Sequence, residues 1–138
     1  MARQLIACEA KCRSCQEIFS HPGIIDSSYG ELVLNSPDGN SYVLASAFGQ
    51  FPERVRSALS STEPGSLWEV LAVLADHGPS GPFRTTMHCP HCRSADLEYW
   101  NGREIGIALV PEAVYSAYEA LDDGELARQI ASLTQPNR

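Results

Sequence analysis

An α+β fold built mainly of antiparallel strands is predicted by three features of the 138-residue sequence. Two Cys-x-x-Cys pairs, Cys12 with Cys15 and Cys89 with Cys92, each lie beside a short β-prone run. Between them stand two more β-prone runs around a Pro-Asp-Gly turn, followed by a helix with apolar residues at helical spacing. The cysteine pairs answer to chemistry rather than packing. A two-residue spacer lets a tight turn aim both sulfurs of a pair at one point, and four thiolates complete the closed tetrahedral set of one structural Zn2+. The expected architecture is a single metal-stabilised domain. Its antiparallel ribbon comes in two halves, about 3–20 and 83–110, with an insertion at about 24–82 and C-terminal helices at about 111–134.

Taken in order, residues 5–11 form a mostly apolar run that ends on Cys12 and reads as a strand, and residues 17–19 read as its short return. A loop is expected from His21-Pro22-Gly23 to about Gly30. Residues 31–34 and 42–45 flank Pro37-Asp38-Gly39 and predict a hairpin, since proline presets one turn dihedral and Asp and Gly tolerate the rest. A helix is expected from near Pro52 to Ser60, with proline in its opening turn. The next has a capping-box pattern, Ser66 with Glu69, and apolar Leu67, Val70, Leu71 and Leu74. Gly78 would stand past its end and His77 in its last turn. Residues 83–88 read as extended, residues 95–100 as a strand, Asn101-Gly102 as a tight hairpin turn, and residues 104–110 as the returning strand. Pro111 is expected to open a helix to about Leu121, carrying Val114 and Tyr118. A second start at Asp122-Asp123-Gly124-Glu125 leads to Leu126, Ile130 and Leu133, and residues 135–138 are expected to fray.

The composition, 43% hydrophobic and 20% charged, suits a globular domain able to bury a core. No run approaches 18 apolar residues, and residues 1–8 lack a secretory leader's pattern, so a cytoplasmic protein without membrane attachment is expected. Five cysteines, four of them in pairs, fit a metal site in a reducing compartment better than a disulfide framework. The net charge of −7 counts against nucleic-acid binding, which draws on phosphate contacts. Lys11, Arg13 and Arg93 flank the cysteines and are placed to offset the charge of a zinc tetrathiolate.

Other readings of the same cysteines are weaker. Cys8, Cys12 and Cys15 carry a spacing that resembles the iron-sulfur motif of radical SAM enzymes, but the chain is short and Ser14 stands where an aromatic residue is usual. Cys89-Pro90-His91-Cys92 resembles the active-site tetrapeptide of thioredoxin-like disulfide oxidases, yet a strand rather than a helix is predicted after it. His88 and His91 are expected outside the ligand set, and no catalytic motif is present.

The two pairs with their flanking strands resemble the zinc ribbon with rubredoxin-type knuckles. The resemblance covers roughly 40 residues, and it implies metal ligands at Cys12, Cys15, Cys89 and Cys92. Gln16 and Arg93 stand where such knuckles usually carry glycine. The insertion is long, since 73 residues separate Cys15 from Cys89. Closing that loop costs about 4 kcal/mol, against roughly 10 to 16 kcal/mol of apparent zinc affinity in small zinc peptides. The function expected of such a domain is binding another protein, as an adaptor, inhibitor or immunity-type partner. The alternatives are a nucleic-acid-binding ribbon using Arg13, Arg84, Arg93 and Arg103 and, less favoured, a redox or metal-dependent enzyme.

Overall fold

The computed structural model describes residues 2–23, 30–59 and 64–134, without the side chains of residues 64–66 and 134. The first strand, β1 (Ala2–Cys12), is the axis of a four-stranded antiparallel sheet. Strand β2 (Ile18–His21) pairs with its second half, Cys8 opposite His21 and Lys11 opposite Ile18. Strands β5 (Leu97–Tyr99) and β6 (Glu104–Pro111) pair with β1 as well, from Cys12 opposite Leu97 to Ala2 opposite Pro111. Cys8 and Lys11 each face β2 on one side and β5 or β6 on the other, so β5 and β6 occupy the same edge.

This corrects the hairpin expected at Asn101-Gly102. Both flanking strands run antiparallel to β1, so neither returns along the other; together they make one interrupted strand. Glu9 bonds to both sides of the interruption, donating to the Arg103 carbonyl and accepting from the Gly102 amide, each at 2.9 Å. A Cβ on Gly102 would stand 2.9 Å from the Glu9 carbonyl, so glycine is used for close approach and not for a turn. The long partner surface of β1 outcompeted a favourable local turn signal.

Strands β3 (Glu31–Asn35) and β4 (Tyr42–Ser46) form the predicted hairpin as a separate two-stranded sheet. It is a middle layer. Leu32, Leu34, Val43 and Ala45 face the helices α1 (Gln50–Ala58), α2 (Pro64–Leu74) and α4 (Asp123–Thr134). Val33 and Leu44 face the other way, toward Val110, Leu5 and Ala108 of the four-stranded sheet. Burial on both faces explains why these strands are continuous apolar runs and not alternating ones.

Three helical expectations shift. Helix α2 opens at Pro64, so Ser66 lies inside it; the Ser66 side chain is outside the described residues, as are 24–29 of the expected loop, Ser60 and residues 135–138. Helix α2 ends at Leu74, which leaves His77 beyond it and exposed, its Nδ1–H donating to the Gly78 carbonyl at 2.8 Å. Pro111 ends β6 instead of opening a helix, and only α3 (Ser116–Glu119) is helical before α4. Here main-chain pairing wins: Glu112 bridges Leu44, the Ala113 amide donates to the Leu44 carbonyl, and the Asp76 amide donates to that of Val114. The last start holds, since Asp122 Oδ1 accepts the Glu125 amide at 2.8 Å.

Candidate metal centre

The first cysteine pair sits on a turn that leaves β1 and the second on a turn that leads toward β5, and the two turns are built alike. In the first, the Gln16 amide donates to the Cys12 carbonyl and the Cys12 amide to that of Glu17. In the second, the Arg93 amide donates to the Cys89 carbonyl and the Cys89 amide to that of Ser94. The residue after each pair turns the chain through the left-handed region, Gln16 at φ 67° and Arg93 at φ 69°. These are the only described non-glycine residues with positive φ. Where glycine is the easier choice, two L-residues accept the strain because the turn demands that conformation. The two residues that stand in place of glycine thus adopt the left-handed conformation glycine would take.

The two turns face each other. Cys12 Sγ lies 3.5 Å from Cys92 Sγ and Cys15 Sγ 3.7 Å from Cys89 Sγ, and the four sulfurs all fall within 4.8 Å of one another. An ion with tetrahedral bonds of about 2.3 Å would hold its sulfurs about 3.8 Å apart. The donor set therefore fits one such metal ion, and the fit stands on these separations. Amide N–H groups also point at sulfur, from Cys15 to Cys12 Sγ at 3.5 Å and from His91 to Cys89 Sγ at 3.3 Å. The Cys15 amide is the main reason the Cys12 thiol is pulled down to about 7. The Glu17 amide favours the Cys15 thiolate, but burial and the facing sulfurs push that thiol up to about 12.

Cys12 and Cys89 are fully buried and pack with Ala10 and Phe19, whereas Cys92 is exposed. The halves are also stitched outside the sulfurs. The Ser14 and Ser94 hydroxyls meet at 3.0 Å, the Arg13 amide donates to the Asp96 carbonyl, and Arg13 Nε reaches Asp96 Oδ1 at 3.2 Å. Lys11 lies 3.9 Å from Glu98, so two of the three cations beside the cysteines already have carboxylate partners.

Cys8 lies apart from the cluster, paired across to His21, so the spacing of Cys8, Cys12 and Cys15 does not bring three thiols together. After Cys92 the chain enters extended backbone and β5, with no helix N-terminus under Cys89. His91 is exposed. His88 is buried, with Nδ1 3.0 Å from the Arg93 carbonyl and Nε2 3.2 Å from Thr86 Oγ1, and it braces the second knuckle from behind.

Two supports had no signal in the sequence. The hairpin turn between β3 and β4 presses on the second knuckle, where a Cβ on Gly39 would lie 2.4 Å from the His88 carbonyl and 2.9 Å from Pro90 N. With φ at +75°, Gly39 is fixed by both conformation and space. His21, expected in a loop, is instead the fully buried last residue of β2. Its Nε2–H donates to Asn35 Oδ1 at 2.6 Å while Nδ1 accepts the Gly23 amide at 2.8 Å, which fixes the neutral tautomer. Burial holds its pKa below the ordinary histidine value. Asn35 in turn exchanges main-chain bonds with Arg84, tying the sheet, the hairpin and the approach to Cys89 together.

No family model matches the chain, and no curated protein or solved structure shows significant similarity to it. None of the described helices is long and apolar enough to cross a membrane.

Proposed function

We propose that this protein is a zinc-stabilised binding module that acts by contacting another protein. The observation that carries the reading is the four-sulfur cluster at spacings suited to one tetrahedral ion, made by two knuckles of the same geometry. Zinc is favoured because four thiolates and no open coordination position describe a structural zinc site, and because a single ion fits sulfurs this close. A saturated site of this kind closes the ribbon across the insertion and offers no position for substrate, so the working surface is sought elsewhere on the domain. An acidic protein of net charge −7 is suited to a basic partner, through steering as well as contact.

Nucleic acid is the weaker reading. Of the four arginines near the metal end, Arg13 is paired with Asp96 and Arg103 with Glu9, so only Arg84 and Arg93 stand without a salt bridge among the described residues, a small positive patch on a protein of net charge −7. Native mass spectrometry of protein purified gently from its host tests the proposal in one spectrum. One zinc per chain with a retained protein is expected; an iron-sulfur mass, or retained nucleic acid in place of protein, would overturn it.

A further inference from the structure

The arm of the sheet farthest from the cysteines is left uncovered. Its outward face carries Ile6 opposite Ile107, with Leu109 opposite Gln4, and these three aliphatic side chains are 54%, 67% and 67% exposed. Ile105, also exposed, precedes them along β6. Among the described residues, the main chain of 104–110 pairs only with β1, so β6 has a free edge up to Val110; just past it, Glu112 bridges Leu44 of β4 and the Ala113 amide donates to the Leu44 carbonyl. The pairing alternation shows which groups point outward. Glu9 bonds toward residues 102 and 103, so Ala7, Leu5 and Arg3 also bond toward β6, and their partners Gly106, Ala108 and Val110 point inward. Ile107 and Leu109 therefore present both an exposed apolar side chain and an unpaired N–H and C=O.

Long apolar edges of this kind are normally shielded by lysine, proline or a bulge, because they recruit further strands. β6 has proline only at its last position and a register shift at Ile105, so its regular, unshielded stretch runs from Gly106 to Val110. The free half of β1 is different, with Arg3 and Gln4 among its residues and Arg3 tied to Glu31.

Charge selects the occupant. Exposed Glu104 and Glu112 bracket the edge; among the described residues neither forms a direct salt bridge, although Glu112 lies within Coulombic reach of Arg3, whose own salt bridge is to Glu31. A second copy is disfavoured: an antiparallel self-pair centred on Ala108 would set Glu104 against Glu112 at both ends, between chains that each carry −7. We propose that β6 is a docking edge for an extended segment of a partner protein, apolar at alternate residues and flanked by lysine or arginine, which adds to the sheet as a further strand. This rests on the protein-binding reading and names its surface. Main-chain bonds supply affinity, the Ile107–Leu109 face takes the alternate apolar side chains, and the two glutamates set the register.

The test uses a short labelled peptide alternating valine and threonine between terminal lysine pairs, with a glutamate-ended version as control. Fluorescence anisotropy is expected to show binding of the lysine peptide that weakens at least tenfold between low and high salt, with none for the control. Amide exchange by NMR is expected to slow at Ile107 and Leu109, and Ile107→Lys, an exposed change that leaves the core intact, should weaken binding at least tenfold. Absence of binding, binding without protection of those two amides, or sedimentation showing a dimer already protected along β6 would overturn the inference. A protein partner retained in the native spectrum together with any of those results would leave the protein-binding reading standing and remove only this surface.

Discussion

The two ends of this molecule are held by different physics. At the helical end, eighteen buried side chains from the hairpin, α1, α2, α4 and neighbouring loops form one apolar cluster, with Leu34, Leu71 and Val55 fully inaccessible. At the cysteine end the buried cluster is Ala10, Cys12, Phe19 and Cys89, with Cys15 and Leu97 alone among the described residues packed against it. Burial at about 25 cal/mol per Å² can sustain the first, but the second has too little apolar surface to order two turns that arrive from distant parts of the chain. A small core with four facing thiols is the place where a bound metal would substitute for packing.

The contrast is broken most forcefully by removing the metal. A strong chelator, or Cys12→Ser or Cys89→Ser, is expected to abolish tight zinc binding, an apparent contribution on the order of 10 kcal/mol. Hydrogen exchange should then rise at residues 8–21 and 87–100 while α1, α2 and α4 stay protected; uniform exchange along the chain would show that the ends do not differ. The reverse experiment is Leu71→Ala. It should cost about 2 to 5 kcal/mol in urea denaturation and leave the zinc stoichiometry unchanged.

Gly39→Ala sharpens the comparison by joining the ends, since the turn belongs to the helical end's hairpin but bears on the second knuckle. A strained φ and a clash with the His88 carbonyl predict a loss of roughly 1 to 3 kcal/mol, with weaker zinc retention in a competition assay. Normal retention would mean that the knuckle stands without its buttress.

His21 gives a smaller, pH-dependent effect. Its folded pKa is depressed by burial, so below about pH 6.5 the unfolded chain takes up a proton that the folded protein refuses. Its contribution is present above that pH and is lost as pH falls, with a slope of at most about 1.4 kcal/mol per pH unit. Replacing it by Gln should flatten that part of the stability curve measured by urea titration at pH 5 to 8. The smallest effect is expected for Arg13→Ala, because its pair with Asp96 is largely solvent-exposed; under about 1 kcal/mol should be lost by thermal denaturation.

What was legible in the sequence was chemistry and local patterning. The four cysteines declare themselves by spacing, the β3–β4 hairpin by its turn residues, and the start of α4 by Asp122 and Glu125. What misled were signals that hold only when nothing distant competes. Asn101-Gly102 is a good turn, but β1 offered an unbroken partner from Leu97 to Pro111; Pro111 is a good helix opener, but Leu44 captured the following backbone. Gly39 was legible as a turn residue, but its bearing on the second cysteine turn and the His21–Asn35 pair were not, because they arise from contacts across 49 and 14 residues.

The central position of β1 has a consequence for the order in which the protein is made. The strand is synthesised well before most of its partner, residues 97–111. At roughly 5 to 20 residues per second, β1 waits between about 5 and 20 seconds with one edge open, while β3, β4, α1 and α2 emerge and can associate locally. Of the described strands, the last to be synthesised is therefore the one that completes the sheet, and the second pair of cysteines arrives just ahead of β5 and β6.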